Sequence, residues 1–265
     1  MSVDGDADPR RYVRLMDKAR GGRDADPAQY RGVFDMLAAV GGERVLDVGC
    51  GTGGAVRALA AAVGNLGRVV GLDVSRTMVE EARARAADCP APVEFVLGDA
   101  HAMPFPDGTF DAAYSLRVFE IIGDPRRVLS EMARVLRPGG RLVVNGIDMD
   151  ALTIDSPDRE LTRKVIHYAC DVSTHGWAGR QLFGWCKELG LADVSVTPVA
   201  AVFHDFEPFY EIVLRAVVED ATAAGVVTAE EIARWLADLR ERDRRGLFFY
   251  SQTFFRIAAT KGGRK

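Results

Sequence analysis

Asp47, Gly49, Gly51 and Gly53 lie close together in the run Glu43-Arg44-Val45-Leu46-Asp47-Val48-Gly49-Cys50-Gly51-Thr52-Gly53-Gly54. An apolar stretch ends there in an acid, and the acid is followed by glycines. Glycine lets the backbone turn through positive φ and lets a ligand approach without meeting a Cβ. Two more acids repeat the placement, Asp73 in Gly71-Leu72-Asp73-Val74-Ser75 and Asp99 in Leu97-Gly98-Asp99-Ala100. Such a set can hold a nucleoside. Gly49, Gly51 and Gly54 satisfy G-x-G-x-x-G, which taken alone suggests a dinucleotide with its pyrophosphate at a helix N-terminus. Asp47 argues against that ligand. A carboxylate two residues before the first glycine repels a pyrophosphate but favours the ammonium of a methionine moiety. Asp73 can accept from both ribose hydroxyls, and Asp99 can accept from an adenine amino group. These features favour S-adenosylmethionine over NAD or FAD, and with it methyl transfer. The plainer alternative is that the three acids only cap the turns and helices after their strands.

The elements around these residues follow from periodicity. Strands are expected at Arg44–Val48, Arg68–Asp73, Val93–Gly98, Phe110–Ser115 and Gly140–Gly146, with helices at about 53–63, 75–87 and 124–136. The alternation implies a mostly parallel sheet covered by helices on both faces. Ahead of it, residues 1–9 read as a disordered lead. A short helix is expected at Arg10–Ala19, a stop at Gly21-Gly22, and a helix opened by Pro27 that runs through Ala38. Beyond Ile147 the pattern turns helical, at 157–172, 179–188, 207–224 and 228–245. Two long strands, Asp193–Val202 and Leu247–Ala259, should pair as an antiparallel ribbon at the sheet edge. The organisation expected is a helical cap at 1–40, a cofactor-binding core at 41–147, a lid with connecting helices at 148–192, and a terminal strand pair at 193–265 carrying an insertion at 204–246.

From Arg44 to Val144 the chain resembles the class I S-adenosylmethionine-dependent methyltransferases, in the small-molecule branch that includes ubiquinone, menaquinone and natural-product enzymes. VLDVGCGTGG, GLDVSRTMVEEAR and GDAHAMPFPDGTFD are similar to that family's first three motifs, and VLSEMARVLRPGGRLVV fits its fifth strand and approach. The resemblance implies a Rossmann-like seven-stranded sheet with an antiparallel last strand. It implies that Asp73 and Val74 lie at the ribose and Met78 over the adenine, with Asp99 and Ala100 at the adenine edge. Asp47, Gly49, Gly51, Gly53, Ser115 and Arg117 complete the cofactor set. One departure stands out. Many relatives carry R-V-x-x-H after the fourth strand, and here the run is Arg117-Val118-Phe119-Glu120-Ile121. The proton acceptor that the histidine would provide is absent.

Another base is then needed for an acceptor of high pKa. The histidines are His101, His167, His175 and His204. His101 belongs beside the adenine. His204 closes a strand where the insertion begins, and His175 sits in a loop before a helix, so these two are the expected catalytic residues. Tyr114 and Tyr168 are further orienting groups, and positioning without a base is the alternative. Bulky residues in the cap, among them Tyr168, Trp177, Phe209 and Trp235, suit a hydrophobic small molecule. With 38 acids against 34 lysines and arginines and a net charge of −4, a nucleic-acid partner is not expected. The four cysteines show no metal spacing, no apolar run of 18 residues suggests a membrane span, and no secretory leader is recognisable, so a cytoplasmic enzyme is expected. Homo-oligomerisation is left open. Natural-product methylation at O, N or activated C is the leading function. A cyclase or isomerase that binds the same cofactor without transfer, and a quinone C-methyltransferase, are the alternatives.

Overall fold

The computed structural model describes residues 3–19, 30–89 and 91–263. Five parallel strands form the centre: β1 Arg44–Val48, β2 Arg68–Asp73, β3 Val93–Leu97, β4 Phe110–Leu116 and β5 Leu136–Ile147. The last strand, Tyr250–Thr260, runs antiparallel beside β5 and carries the long strand Ala192–Phe203 on its outer side. A two-residue strand, Thr153–Ile154, pairs with the start of that last strand. In chain order these three are β6 (153–154), β7 (192–203) and β8 (250–260), and the sheet reads β3-β2-β1-β4-β5-β8 with both β6 and β7 on β8. This is the expected mostly parallel Rossmann-like sheet with an antiparallel edge. The sequence reading missed β6, which is too short to show a period.

Apolar residues cover both sheet faces because buried parallel strands are apolar on each side. On one face, α2 (Arg31–Leu37) and α3 (Gly54–Val63) pack Val33, Leu37, Val56 and Leu59 against Val45, Val69 and Val143. On the other, α5 (Pro125–Val135) and α7 (Ala178–Glu188) pack Leu129, Met132 and Leu182 against Leu142 and Val144. A third cluster joins α6 (Arg159–Val172) to the segment between β7 and β8, around Phe206, Trp235 and Tyr250. That segment comprises α8 (Phe206–Phe209), a π-helical turn (Tyr210–Leu214), α9 (Arg215–Ala223) and α10 (Ala229–Arg244).

Three expectations need correction. The helix expected over 207–224 is interrupted by the π turn, which a 3.6-residue period cannot reveal. β8 starts at Tyr250 rather than Leu247. Residues 3–9 are not a disordered lead: Val3–Gly5 form a 3₁₀ turn, and Asp4 docks on the start of α4 (Arg76–Arg85). The Asp4 carboxylate accepts from Ser75 Oγ at 2.8 Å, Arg76 N at 2.7 Å and Thr77 N at 3.2 Å. α1 (Arg10–Ala19) follows, and Asp17 clamps Arg85 through two bonds of 2.7 and 2.9 Å. Gly21, Gly22 and Pro27 lie outside the described residues.

Candidate functional site

The carboxyl ends of β1, β2 and β3 bring the three acids to one end of the sheet. The turn after β1 is built from glycines at φ +76° (Gly49), +53° (Gly51) and +71° (Gly53), a region that L-residues with side chains rarely occupy. Gly49 and Cys50 donate their N–H groups to the Leu72 carbonyl at 2.8 and 3.0 Å, which ties the turn to β2. Space is also limiting. A Cβ on Gly49 would lie 2.3 Å from Val118 Cγ2, and one on Gly51 would lie 2.5 Å from Met16 Cε of α1.

Asp73, half-buried at the end of β2, bridges two loops. Its Oδ2 accepts from Gly51 N at 2.8 Å and its Oδ1 from Ser75 N at 2.9 Å. Burial pushes its pKa up, these two hydrogen bonds oppose the rise, and the nearby Asp4 charge adds to it. A carboxylate has about four lone-pair sites, so two remain for hydroxyls. Val74, the next residue, is 73% exposed, an apolar side chain with no cover. Met78 is buried, and its N–H is capped by Ser75 Oγ. At the end of β3, Asp99 is exposed, and one oxygen, Oδ1, accepts from His101 N at 2.9 Å and meets His101 Nδ1 at 2.6 Å. The first of these bonds and then the second hold the Asp99 carboxyl below its ordinary range. Ala100 opens the 3₁₀ turn that follows. This end of the sheet thus offers a carboxylate that bridges two loops, an exposed apolar side chain beside it and a further exposed carboxylate.

Asp47 is buried beside Tyr114, its partner in the β1–β4 register. Burial first, and then the Asp47 carboxylate, push the Tyr114 pKa well above the phenol range. Ser115 Oγ donates to the Val48 carbonyl at 2.8 Å and so joins β4 to β1. Arg117 follows β4 at φ +61°, a strained value for a non-glycine residue, and its N–H donates to the Asn145 carbonyl at 3.2 Å.

The two expected catalytic histidines are both tied to main-chain carbonyls. His175 is half-buried: its ring Nε2 meets the Gly123 carbonyl at 3.2 Å and its backbone N–H donates to the Glu120 carbonyl at 3.1 Å. It therefore stands on the segment that follows β4. His204 is exposed, with Nδ1 3.1 Å from the Phe248 carbonyl and its ring edge-on to Phe249. It lies at the carboxyl-end side of the sheet, but β7 is three strands across from β4, roughly 14 Å at the usual strand spacing. Of the other polar residues, Tyr168 donates to Asp220 at 2.6 Å, and His167 faces Asp150 at 3.8 Å.

Three residues that periodicity and motifs did not single out share one feature. Glu120 Oε2, Asn145 Oδ1 and Arg256 Nε are buried and have no hydrogen-bond partner among the described residues. Asn145 and Arg256 are cross-strand neighbours of β5 and β8. Tyr250 and Glu120 both lie within electrostatic reach of Arg117. The one sequence signal near this group is the departure at Ile121, one residue after Glu120.

Residues 46–144 match the methyltransferase-domain family model. An uncharacterised 37.1 kDa protein in a transposon of Streptomyces fradiae is 41% identical over 86% of this chain and 65% of its own length. The 27-O-demethylrifamycin SV methyltransferase of Amycolatopsis mediterranei is 39% identical over 49% of this chain and 48% of its own. Across the curated relatives compared, the chain spans between 34% and 65% of their length. Among solved structures, the [4+2]-cyclase SpnF superposes with a TM-score of 0.60 at 21% identity, covering 95% of this chain and 93% of its own. That likeness is one of fold.

Proposed function

We propose, for a chain that belongs to the class I S-adenosylmethionine-dependent methyltransferases, that it transfers a methyl group to an oxygen, nitrogen or activated carbon of a hydrophobic small molecule in the tailoring of a natural product. The observation that carries the reading is Asp73, whose two oxygens bridge the glycine turn and the start of α4 next to the uncovered Val74. S-adenosylmethionine supplies an activated methyl group on a sulfonium. The rest is positioning and desolvation by this chain. Asp73 takes the ribose, and Val74 with Asp99 and Ala100 takes the adenine. The glycine turn, Asp47, Ser115 and Arg117 border the methionine end. The relative that takes 27-O-demethylrifamycin SV, by its name, supports an acceptor of that general kind.

His175 and His204 are the candidates from the sequence for the acceptor's proton. His175 is favoured by its bonds to Glu120 and Gly123, and His204 by its end of the sheet. Substitution of each by Gln tests them, with a loss of turnover of roughly 10²-fold expected at the true base. The function itself is tested by calorimetry with S-adenosylhomocysteine and by its release from S-adenosylmethionine in the presence of acceptors. Product formed without that release selects a cyclase or isomerase. Tight NAD binding with no response to S-adenosylhomocysteine removes the reading altogether.

A further inference from the structure

We propose that Glu120 is the general base of this enzyme and that the acceptor it serves is a hydroxyl, phenolic or alcoholic, so that the reaction is an O-methylation. The inference rests on the methyl-transfer reading above and adds the residue and the acceptor class.

Glu120 stands where the site needs a proton acceptor. Val118, two residues before it, packs on the glycine turn, and Arg117, three residues before it, follows the end of β4. Two residues span at most about 7 Å, so Glu120 cannot be far from that turn. Its Oε2 is buried and finds no hydrogen-bond partner among the described residues. Native proteins rarely leave a buried carboxylate oxygen in that state, and such an atom calls for an explanation by function. The charged and polar groups around it are few. Arg117 lies on its own segment, Tyr250 of β8 is within electrostatic reach of the same guanidinium, the backbone N–H of Glu120 itself reaches its carboxylate, and His175 meets Glu120 only through the main chain. Arg117 is no substitute partner, because no ion pair joins it to Glu120 among the described residues. Burial pushes the Glu120 pKa up, and the hydrogen bond from its own backbone N–H and then the Arg117 charge only partly offset this, which moves a weak base towards the range where it accepts a proton from a hydroxyl.

The chemistry balances. The acceptor oxygen forms its bond to the methyl carbon while its proton passes to a Glu120 oxygen. The carbon–sulfur bond breaks with its electron pair staying on sulfur, so the sulfonium becomes a neutral thioether and Glu120 a neutral acid. This replaces the histidine that is missing at position 121 by a carboxylate one residue earlier.

Two measurements decide it. The first needs no acceptor. A carboxyl whose pKa is raised on folding binds its proton more tightly in the native state, so its contribution to stability falls as pH rises from about 4.3 through the native value. The difference in unfolding free energy between wild type and Glu120→Gln should therefore slope with pH across that window, and a flat difference overturns the proposal. The second is S-adenosylhomocysteine release with a panel of phenols, aliphatic alcohols and amines. Wild type should turn over a hydroxyl acceptor, with a rate that rises with pH through the Glu120 pKa. Glu120→Gln should lose roughly 10²-fold or more in kcat and the pH step, with an unchanged dissociation constant for S-adenosylhomocysteine. Glu120→Asp should recover part of the rate. A Glu120→Gln enzyme within threefold of wild type, or turnover of amines alone, overturns it. Failure of the wild type to bind S-adenosylhomocysteine would instead remove the methyltransferase reading on which it rests.

Discussion

The end of β1 and the start of β8 lie at the same end of the sheet, and they treat their polar groups in opposite ways. Around β1 the carboxylates of Asp73 and Asp99 and the hydroxyl of Ser115 are occupied by this chain. Asp73 holds Gly51 and Ser75, Ser115 holds Val48, and Asp99 holds His101. On β5 and β8, and in the segment after β4, Asn145, Arg256 and Glu120 keep buried polar atoms without partners among the described residues. A buried polar atom left unpaired costs about 1–3 kcal/mol, so one is tolerable and three on adjoining elements are informative. The first region is built to be rigid before anything binds. The second leaves hydrogen-bonding capacity that, on the proposal above, an acceptor molecule would meet. That division suits a common cofactor and a particular substrate.

The rigid half breaks hardest at its glycines. Gly49→Val would place a branched side chain at φ +76° with its Cβ 2.3 Å from Val118 Cγ2. Strain in the left-handed region and overpacking together cost about 3 kcal/mol or more. S-adenosylhomocysteine affinity should fall by roughly 10²-fold, as read by calorimetry on protein whose circular dichroism is unchanged. Retained affinity would show that the turn does not need its glycine. Asp73→Ala comes next. It removes the bridge between Gly51 and Ser75 as well as the proposed ribose acceptor, and charge-assisted bonds of about 1.5–3 kcal/mol each predict at least a tenfold loss.

A sharper test sets one hydroxyl from each region against the other. Ser115→Ala deletes a bond to a buried carbonyl and should lower stability by about 1 kcal/mol in chemical denaturation. Tyr250→Phe deletes a buried hydroxyl that meets only the Gln252 side chain of its own strand, and should cost less stability than Ser115→Ala while raising the KM of the acceptor. Equal losses in the two variants would erase the contrast.

The two regions were also unequally legible. Alternating strands and helices from Arg44 to Ile147 announced β1 to β4 almost to the residue, because buried parallel strands and amphipathic helices carry strong local periods, whereas β5 begins at Leu136, ahead of the Pro138-Gly139-Gly140 run that reads as a turn. The three acids are legible as strand ends for the same reason. Glu120 was not, although the missing histidine beside it was visible. Its significance lies in the burial of a carboxylate oxygen that finds no partner, which no local period shows. Asp4 was lost differently: nine residues of mixed acids and glycine have no period, and only its reach to Ser75, Arg76 and Thr77 gives it a role.

Asp4 supplies the smallest and most specific prediction. Burial works against its charge, but hydrogen bonds from Ser75, Thr77 and Arg76 outweigh it and hold the carboxyl down at about 2. In the unfolded chain an aspartate titrates near about 3.9. The folded value is the lower of the two, so the charged form is favoured by folding. Its contribution is therefore present above about 3.9 and is lost as pH falls through about 2. At neutral pH Asp4 acts as a cap on α4 lent by a distant part of the chain, and an exposed cap of this kind contributes about 0.5–2 kcal/mol. Asp4→Ala should lower the midpoint of denaturation slightly at pH 7, and the difference from wild type should shrink towards pH 2. Because Asp4 also raises the Asp73 pKa by its charge, the same variant should let the Asp73 carboxyl ionise at lower pH. A carbon-13 titration of the aspartate carboxyls reads both effects. An Asp73 signal that does not move when Asp4 is removed would separate the amino-terminal turn from the rigid half of the site.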